Sequence, residues 1–257
     1  MGLLDGKTAL VAGVANRRSI AWAIARRLSE EGATLAFTYQ GERLEKGVRE
    51  LAGSIGSELC VECDVASDES LDRAFAQAVE GLGGLDLLVH SVAFAQAHDL
   101  EGRFTDTARQ DFGLALDISA YSLVAMARRA EPLMEARGGG AIVTMTYLGG
   151  ERAVPHYNVM GVAKAALEAA VRYLAADLGP RNIRVNAISA GPVKTTAARG
   201  IKDFSKVLES VEARAPLRRT VETAEVADAA LMLIGPAGRA ITGEVLIVDG
   251  GYHVMGV

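Results

Sequence analysis

Apolar runs and runs with a helical period alternate along the whole chain. Seven short runs rich in Val, Ile, Leu and Ala predict buried strands; they are 8–13, 33–39, 59–64, 85–93, 140–146, 183–189 and 243–251. Between them, apolar residues recurring every three or four positions predict helices; these are 19–32, 42–51, 68–82, about 108–137, about 157–178 and 223–234. This alternation predicts an α/β fold, a doubly wound parallel sheet of about seven strands with helices on both faces.

The chain contains no linker, repeat or low-complexity tract, so we expect a single domain over 1–257. Half of its residues are hydrophobic, and its net charge of −5 disfavours general nucleic-acid binding. No uninterrupted apolar run approaches the ~20 residues that cross a bilayer. The start, MGLLDGKTALVAG, lacks the basic segment and cleavage site of a signal peptide. We therefore expect a cytoplasmic protein that binds neither nucleic acid nor membrane.

Cys60 and Cys63 form a C-x-x-C pair, which invites a redox or zinc interpretation. In an extended strand their side chains point to opposite faces, about 10 Å apart, whereas a disulfide needs Cα atoms within about 7 Å. Zinc would need two further ligands, and the histidines supply no suitably spaced pair. We expect structural thiols and no metal site.

The turn after the first strand, GVANRRSIA, can serve a dinucleotide although it lacks G-x-G-x-x-G. Gly13 permits a tight exit from the strand. Ser19 is the expected N-cap of the next helix, and the amides of Ser19 and Ile20 open a positive helix end that attracts a pyrophosphate. Taken alone, the same pattern is equally typical of an ordinary strand-to-helix turn.

Polar and small residues follow the next strands at the same edge, where doubly wound sheets bind ligands. Gln40, after the second strand, has a neutral amide that can bond ribose hydroxyls but does not neutralise a 2′-phosphate. NADH is therefore favoured, although Arg43 nearby leaves NADPH open. The adenine and ribose candidates after the third and fourth strands are Asp64, Val65, Ser91 and Ala93. Each has an alternative as turn chemistry, but their coincidence on one edge favours a dinucleotide site.

Tyr157 and Lys164 are seven residues apart on a predicted helix, so they share one face. The lysine side chain leans toward the amino end of the helix, which leaves room for a nicotinamide ribose. A nearby ammonium favours the phenolate and would make Tyr157 a better proton donor and acceptor. The alternative is a core tyrosine with a solvated lysine. The strand that ends at Tyr147, on the cofactor edge, favours the hydride-transfer site.

Ordered motifs over essentially the whole chain carry a resemblance to a known family. They are GVANRRSIAWAIA, LAFTYQGERL, CDVASDESLD, HSVAFA, TYLGGERAVPHYNVMGVAKAALEA, IRVNAISAGPVKT, GIKDF, PLRRTVE and GEVLIVDGGY. The chain resembles the NADH-dependent enoyl-acyl-carrier-protein reductases of bacterial fatty-acid synthesis, in the short-chain dehydrogenase/reductase superfamily. The resemblance implies a Rossmann-type fold, a homotetramer and an acyl carrier protein as partner.

By the same resemblance, NADH delivers hydride to the β-carbon of a trans-2-enoyl thioester. Tyr157 would stabilise the charge that builds on the thioester oxygen, while Lys164 would hold the nicotinamide ribose. Tyr147 would shape the acyl pocket or assist. Ala95 matches a position that contacts substrate. Ala93 stands where the family usually has glycine, so its methyl would narrow the pocket nearby.

The resemblance also implies further cofactor contacts. They are expected at Val92, at the end of the fourth strand, and after the sixth strand at Val193, Lys194, Thr195, Thr196 and Ala197. A mobile substrate lid is expected around 194–214. Residues 194–219, which include Lys202 and Lys206, carry seven basic and three acidic side chains, a local charge of +4. Such a patch would attract an acidic carrier protein; a solvated helix face is the alternative.

Two other functions compete with this interpretation. A ketone or alcohol reductase of the same superfamily would use Tyr-x-x-x-Lys with a serine about thirteen residues before the tyrosine, but these two positions hold Gly161 and Thr144. A nucleotide-binding protein without catalysis would be expected to lose the Tyr/Lys pair, which this chain retains.

Overall fold

The computed structural model describes residues 2–195 and 204–256, and its elements follow the predicted alternation. The strands are β1 Thr8–Ala12, β2 Thr34–Tyr39, β3 Cys60–Glu62, β4 Leu87–His90, β5 Gly140–Thr146, β6 Ile183–Ala190 and β7 Val245–Val248. The helices are α1 Ile20–Glu30, α2 Glu42–Gly53, α3 Asp68–Leu82, α4 Ala97–Glu101, α5 Arg109–Leu116, α6 Ser122–Glu135, α7 Asn158–Leu178, α8 Phe204–Arg214 and α9 Thr223–Ile234.

The strands form one parallel sheet in the order β3-β2-β1-β4-β5-β6-β7. The chain builds outward from β1 to β3, and after α3 it returns to place β4 on the other side of β1. The neighbouring carboxyl ends of β1 and β4 are therefore the switch point, where doubly wound sheets bind ligands. The predicted Rossmann-type sheet of seven strands is confirmed.

Helices cover both faces of the sheet and divide the core into two layers. Side chains alternate between the layers because successive residues of a strand point to opposite faces. Leu10 thus packs in the layer of α3, α6 and α7, and Val11 in the layer of α1 and α9. Cys60 and Cys63 also lie in different layers, both as buried free thiols. Burial raises the pKa of Cys63 to about 11, and the predicted orientation of the two side chains to opposite faces is confirmed.

The structure departs from the predicted elements in three respects. The helices α4 and α8 were not predicted. The helix predicted over 108–137 consists of α5 and α6, joined by a π-helical turn at Asp117–Tyr121. This turn holds one residue more than an α-helical turn, so it shifts the apolar stripe without ending the helix. Strands β3, β4 and β7 are shorter than predicted, because residues at both ends of each predicted run lie outside the ladder.

Candidate active site

A groove of about 360 Å³ opens at the carboxyl ends of β1 to β4. Six predicted cofactor residues line it: Gly13, Gln40, Val65, Ser91, Val92 and Ala93. Gly13 has φ +101°, and a Cβ at this position would lie 2.1 Å from the Ser91 carbonyl oxygen. Only glycine therefore lets the exits of β1 and β4 approach so closely, and this approach forms the floor of the groove.

The turn between β1 and α1 is closed by Ser19. Its Oγ accepts hydrogen bonds from the amides of Ala15 and Asn16, at 3.1 and 3.0 Å. Ser19 is the N-cap residue of α1, as predicted, but its side chain makes no capping bond, because the preceding turn folds back onto the hydroxyl. Ile20 begins α1, and its side chain lines a neighbouring apolar cavity.

Gln40 and Asp64, predicted separately, form a hydrogen-bonded pair. Gln40 Nε2 donates to Asp64 Oδ1 at 3.2 Å, and the same oxygen accepts from the amide of Ala66 at 3.0 Å. The pair joins the ends of β2 and β3 at the far end of the groove. Arg43, the residue that kept NADPH as an alternative cofactor, is exposed on α2.

Tyr157 and Lys164 are both buried, with 9% and 5% of their surface exposed. Tyr157 immediately precedes α7, and Lys164 Nζ donates to the Met145 carbonyl oxygen at 2.8 Å. This bond ties α7 to the end of β5, so the alternative of a solvated lysine is wrong. Gly161, between the two residues, permits the close packing: a Cβ there would lie 2.7 Å from the Gly149 carbonyl oxygen.

Burial governs the charge states of the Tyr/Lys pair and its neighbour. It raises the pKa of Tyr157 well above the usual value for a phenol, and that of Tyr147 to about 12. It lowers the pKa of Lys164 to about 8, against the opposing influence of Glu168. The expected shift of Tyr157 toward the phenolate is therefore wrong. The ammonium is bonded to Met145, and desolvation holds the phenol in its protonated form.

The Tyr147 and Tyr157 rings meet edge to face, with centroids 5.0 Å apart. Both line a second cavity, of about 370 Å³, whose walls are mostly apolar. Its other walls include Ile20, Ala93, Phe94, Ala95, Leu100, Met160, Val193, Thr195 and Phe204. The predicted substrate residue, Ala95, thus lies beside the tyrosines.

The groove and the apolar cavity share a wall. Ala93 and Phe94, in the loop that follows β4, line both. A ligand in the groove and a ligand in the cavity can therefore meet next to Tyr157. Phe94 was not predicted, although it lies within the HSVAFA segment that drew attention to its neighbours.

The described cofactor contacts that were predicted after β6 do not line the dinucleotide groove. Val193 and Thr195 line the apolar cavity, whereas Lys194 is exposed. Thr196, Ala197 and Lys202 lie outside the described residues, as does part of the predicted lid.

Two buried polar pairs at the end of β5 were not predicted. Thr146 Oγ1 donates to Glu168 Oε1 at 2.6 Å. Thr144 Oγ1 lies 2.8 Å from His90 Nδ1, with no part of either residue exposed. The hydroxyl at the position of the ketone-reductase serine is therefore bonded to a core histidine. A histidine inside an otherwise apolar strand was the available signal for this pair.

The doubly wound sheet and the buried Tyr/Lys pair at its ligand edge are features of the short-chain dehydrogenase/reductase class. A family model described as enoyl-(acyl carrier protein) reductase matches residues 13–253. The NADH enoyl-[acyl-carrier-protein] reductase of Bacillus cereus is 55% identical over the full length of both chains. The chain belongs to the enoyl-acyl-carrier-protein reductase family, and the predicted resemblance is confirmed.

Solved structures of relatives agree with this family. The Bacillus cereus enoyl-acyl carrier protein reductase, with NADP⁺ and an indole naphthyridinone, superposes with a TM-score of 0.97 at 54% identity and covers all of both chains. The Anaplasma phagocytophilum reductase, in complex with NAD, gives a TM-score of 0.95 at 49% identity, over 100% of this chain and 97% of that one.

Proposed function

We propose that this chain is an NADH-dependent enoyl-acyl-carrier-protein reductase, which reduces the trans-2 double bond of enoyl thioesters in the last step of the fatty-acid elongation cycle. The observation that carries the proposal is the pair of phenols, Tyr147 and Tyr157, in an apolar cavity that shares a wall with the dinucleotide groove. An acyl chain and a reduced nicotinamide would meet there. Family membership and the names of the relatives support the same activity.

The groove has the chemistry that a dinucleotide needs. NADH, when bound, supplies the hydride that reaches the β-carbon. Gly13 lets backbone approach the ligand, and the start of α1 offers the amide of Ile20 to the pyrophosphate. The amide of Ser19, predicted for the same role, donates instead to the Asn16 carbonyl oxygen at 3.0 Å. The remaining proposed contacts are Gln40, Asp64, Val65, Ser91, Val92, Lys164, Val193, Lys194, Thr195, Thr196 and Ala197.

The adenosine end of the groove supports a preference for NADH over NADPH. Gln40 is neutral, and the amide it offers is hydrogen-bonded to the carboxylate of Asp64. A 2′-phosphate beside this pair would meet the carboxylate of Asp64, whereas two ribose hydroxyls could donate to that carboxylate. The Bacillus cereus structure contains NADP⁺, so the preference is to be measured as the ratio of kcat/KM for NADH to that for NADPH.

The chemistry follows from the protonation states in the apolar cavity. As the β-carbon accepts hydride, negative charge builds on the thioester oxygen. The protonated phenol of Tyr157 donates a hydrogen bond to that oxygen, which the surrounding low dielectric strengthens. Tyr147, whose ring packs edge to face with that of Tyr157, would orient the phenol and shape the acyl cavity.

Lys164 acts through the cofactor site in this scheme. An ammonium group has three donors, and Lys164 uses one of them on the Met145 carbonyl. The other two can bond the hydroxyls of the nicotinamide ribose. The anchoring bond to β5 keeps the side chain in place, so the ribose would bind to a preorganised donor.

A basic cleft of about 460 Å³ supports an acidic acyl carrier protein as partner. It lies beside Tyr147, and its described lining includes Arg152, His156, Lys206 and Arg214 but no Asp or Glu. Lys206→Glu should raise KM for carrier-bound substrate far more than KM for a coenzyme A thioester. Lys46→Glu, on a distant helix, is the matched control and should change neither. Equal effects of Lys206→Glu on both substrates would remove this cleft from carrier docking.

The wider organisation of the protein is part of the same proposal. We take the chain to be a single domain over 1–257 with a substrate lid around 194–214, assembled as a homotetramer in the cytoplasm. Within 2–195 and 204–256, no helix is both long enough and apolar enough to span a bilayer.

One assay tests the activity: NADH absorbance is followed with crotonyl-coenzyme A and, separately, with a ketone substrate. Oxidation only with the enoyl thioester is expected. Oxidation only with the ketone would make the chain a carbonyl reductase, an outcome that the engagement of Thr144 with His90 disfavours. Oxidation with neither would leave a nucleotide-binding protein without catalysis.

A further inference from the structure

The π-helical turn Asp117–Tyr121 takes no part in the chemistry above, yet it directs polar side chains into the core. Ser119, within the turn, and Ser122, directly after it, have no exposed surface. A buried hydroxyl destabilises the fold unless it is hydrogen-bonded. π-helical turns inside longer helices frequently occur at functional sites. The partners of these two serines indicate what the turn holds in place.

Ser122 connects the turn to the sheet. Its Oγ donates to the Ile118 carbonyl oxygen at 2.6 Å and lies 2.8 Å from His90 Nε2. Because the only hydroxyl proton of Ser122 is used on Ile118, His90 Nε2 must be the donor to Ser122. His90 Nδ1 then accepts from Thr144. Burial keeps the imidazole neutral by lowering its pKa to about 3. This chain of bonds fixes the π turn against β4 and β5.

Ser119 connects the turn to the wall between the two cavities. Its Oγ accepts from the Phe94 amide at 2.9 Å and donates to the Phe94 carbonyl oxygen at 3.0 Å. Another acceptor near the hydroxyl, Met160 Sδ, lies 3.7 Å away. One hydroxyl therefore bonds both backbone groups of Phe94, a residue beyond the end of β4 where the strand ladder no longer holds the chain.

We propose that Ser119 is a positioning residue for the reduction: it holds the Phe94 backbone, and with it the wall shared by the dinucleotide groove and the acyl cavity. The inference rests on the proposed function. Hydride transfer needs reacting atoms within about 3–3.5 Å, and a misplacement of about 1 Å can cost roughly 10²-fold in rate. Without the Ser119 bonds, Phe94 and Ala93 are free to shift toward either ligand.

The test compares Ser119→Ala with Ser57→Ala. Ser57 donates to the Leu35 carbonyl oxygen at 2.7 Å and lines neither cavity. Ser57→Ala therefore also removes a side-chain-to-backbone hydrogen bond, but one that lies outside both cavities. With crotonyl-coenzyme A and NADH, Ser119→Ala should lower kcat/KM by about 10- to 100-fold. Ser57→Ala should stay within twofold of the parent. Ser119→Ala removes two bonds of a buried hydroxyl and should lower the melting temperature more than Ser57→Ala, so both variants are assayed well below their melting temperatures to separate positioning from general stability.

Hydrogen exchange supplies a readout that does not depend on activity. The Phe94 amide should exchange at least about tenfold faster in Ser119→Ala, while amides of β4 such as Val89 keep their rates. If Ser119→Ala does not fold, Ser119→Cys retains a weaker donor and acceptor. It should then show an intermediate loss of kcat/KM with faster Phe94 exchange.

Three results would overturn the inference. They are a kcat/KM within twofold of the parent, an unchanged Phe94 exchange rate, and an equal loss of kcat/KM in Ser57→Ala. A parent protein that does not reduce crotonyl-coenzyme A would instead overturn the proposed function. In that case the exchange measurement still decides whether Ser119 holds Phe94.

Discussion

Replacing Tyr157 by phenylalanine removes one hydroxyl and leaves the ring in place. The residue is only 9% exposed, and its ring packs edge to face with that of Tyr147, with centroids 5.0 Å apart. Phenylalanine fills nearly the same volume, so this packing is retained. We expect the melting temperature to change by no more than about 4 °C, equivalent to about 1 kcal/mol for a chain of this size.

The expected loss of activity follows from what the phenol does in the cavity. Since burial raises the pKa of Tyr157, the hydroxyl is a neutral donor across the working pH range. Removing one donor to a developing oxyanion typically costs about 2.7–4 kcal/mol, or about 10²–10³ in kcat. NADH affinity should change less than threefold, because the groove residues are untouched.

Stopped-flow absorbance with crotonyl-coenzyme A and NADH measures kcat, and fluorescence titration measures NADH affinity. Tyr147→Phe is the matched control, because it removes a hydroxyl from the neighbouring ring and should lower kcat less than tenfold. A folded Tyr157→Phe protein with kcat within threefold of the parent would refute the reasoning. A greater loss in Tyr147→Phe would transfer the donor role to Tyr147.

The pKa of Lys164 is lowered to about 8, so NADH binding should weaken as the pH rises past about 8, because the ammonium then loses its proton. Titrations of NADH affinity across this pH range should show no such dependence in Lys164→Met. Gln40→Arg should shift selectivity toward NADPH by about tenfold or more, because an arginine can bond a 2′-phosphate; steady-state kinetics with both cofactors checks this, and an unchanged ratio would place the phosphate elsewhere. The buried carboxylate of Asp86 lies 2.8 Å from Lys7 Nζ and 3.0 Å from Arg137 Nη2. Asp86→Asn should therefore lower the free energy of unfolding by about 2–4 kcal/mol at pH 7. Since its folded-state pKa is lowered, this stabilisation is present above about pH 4 and lost as the pH falls through the folded pKa. Urea denaturation should therefore show that the difference in unfolding free energy between parent and variant is smaller at pH 3 than at pH 7. An equal difference at the two pH values would contradict the lowered pKa.

Much of the fold was predictable because local patterns and tertiary packing agree in this chain. Strands buried on both faces must be continuously apolar, and β5 was placed with little error for that reason. The helix α9 was placed equally well, because its apolar residues recur with the helical period. The edge where Gly13, Gln40 and Ser91 converge was also predictable, since parallel strands all end at one side of a sheet. The π-helical turn was not, because one added residue disturbs the helical period without leaving a mark of its own.

The Tyr/Lys pair illustrates the same division within the site. Seven-residue spacing on a helix was enough to put Tyr157 and Lys164 on one face. The direction of the pKa shift of Tyr157 was predicted wrongly, because the spacing does not indicate how much solvent the fold removes. Nor does it indicate that Met145, from another element, binds the ammonium.

The sequence by itself determined the order of the elements, the edge of the sheet at which ligands bind and the residue types available there, because these depend on periodicity and on where strands end. The tertiary structure alone decided the charge states of Tyr157 and Lys164, the engagement of Thr144 by His90, and the attachment of Phe94 to Ser119. Each of these depends on burial or on contacts between residues far apart in the chain, and neither is encoded in local spacing.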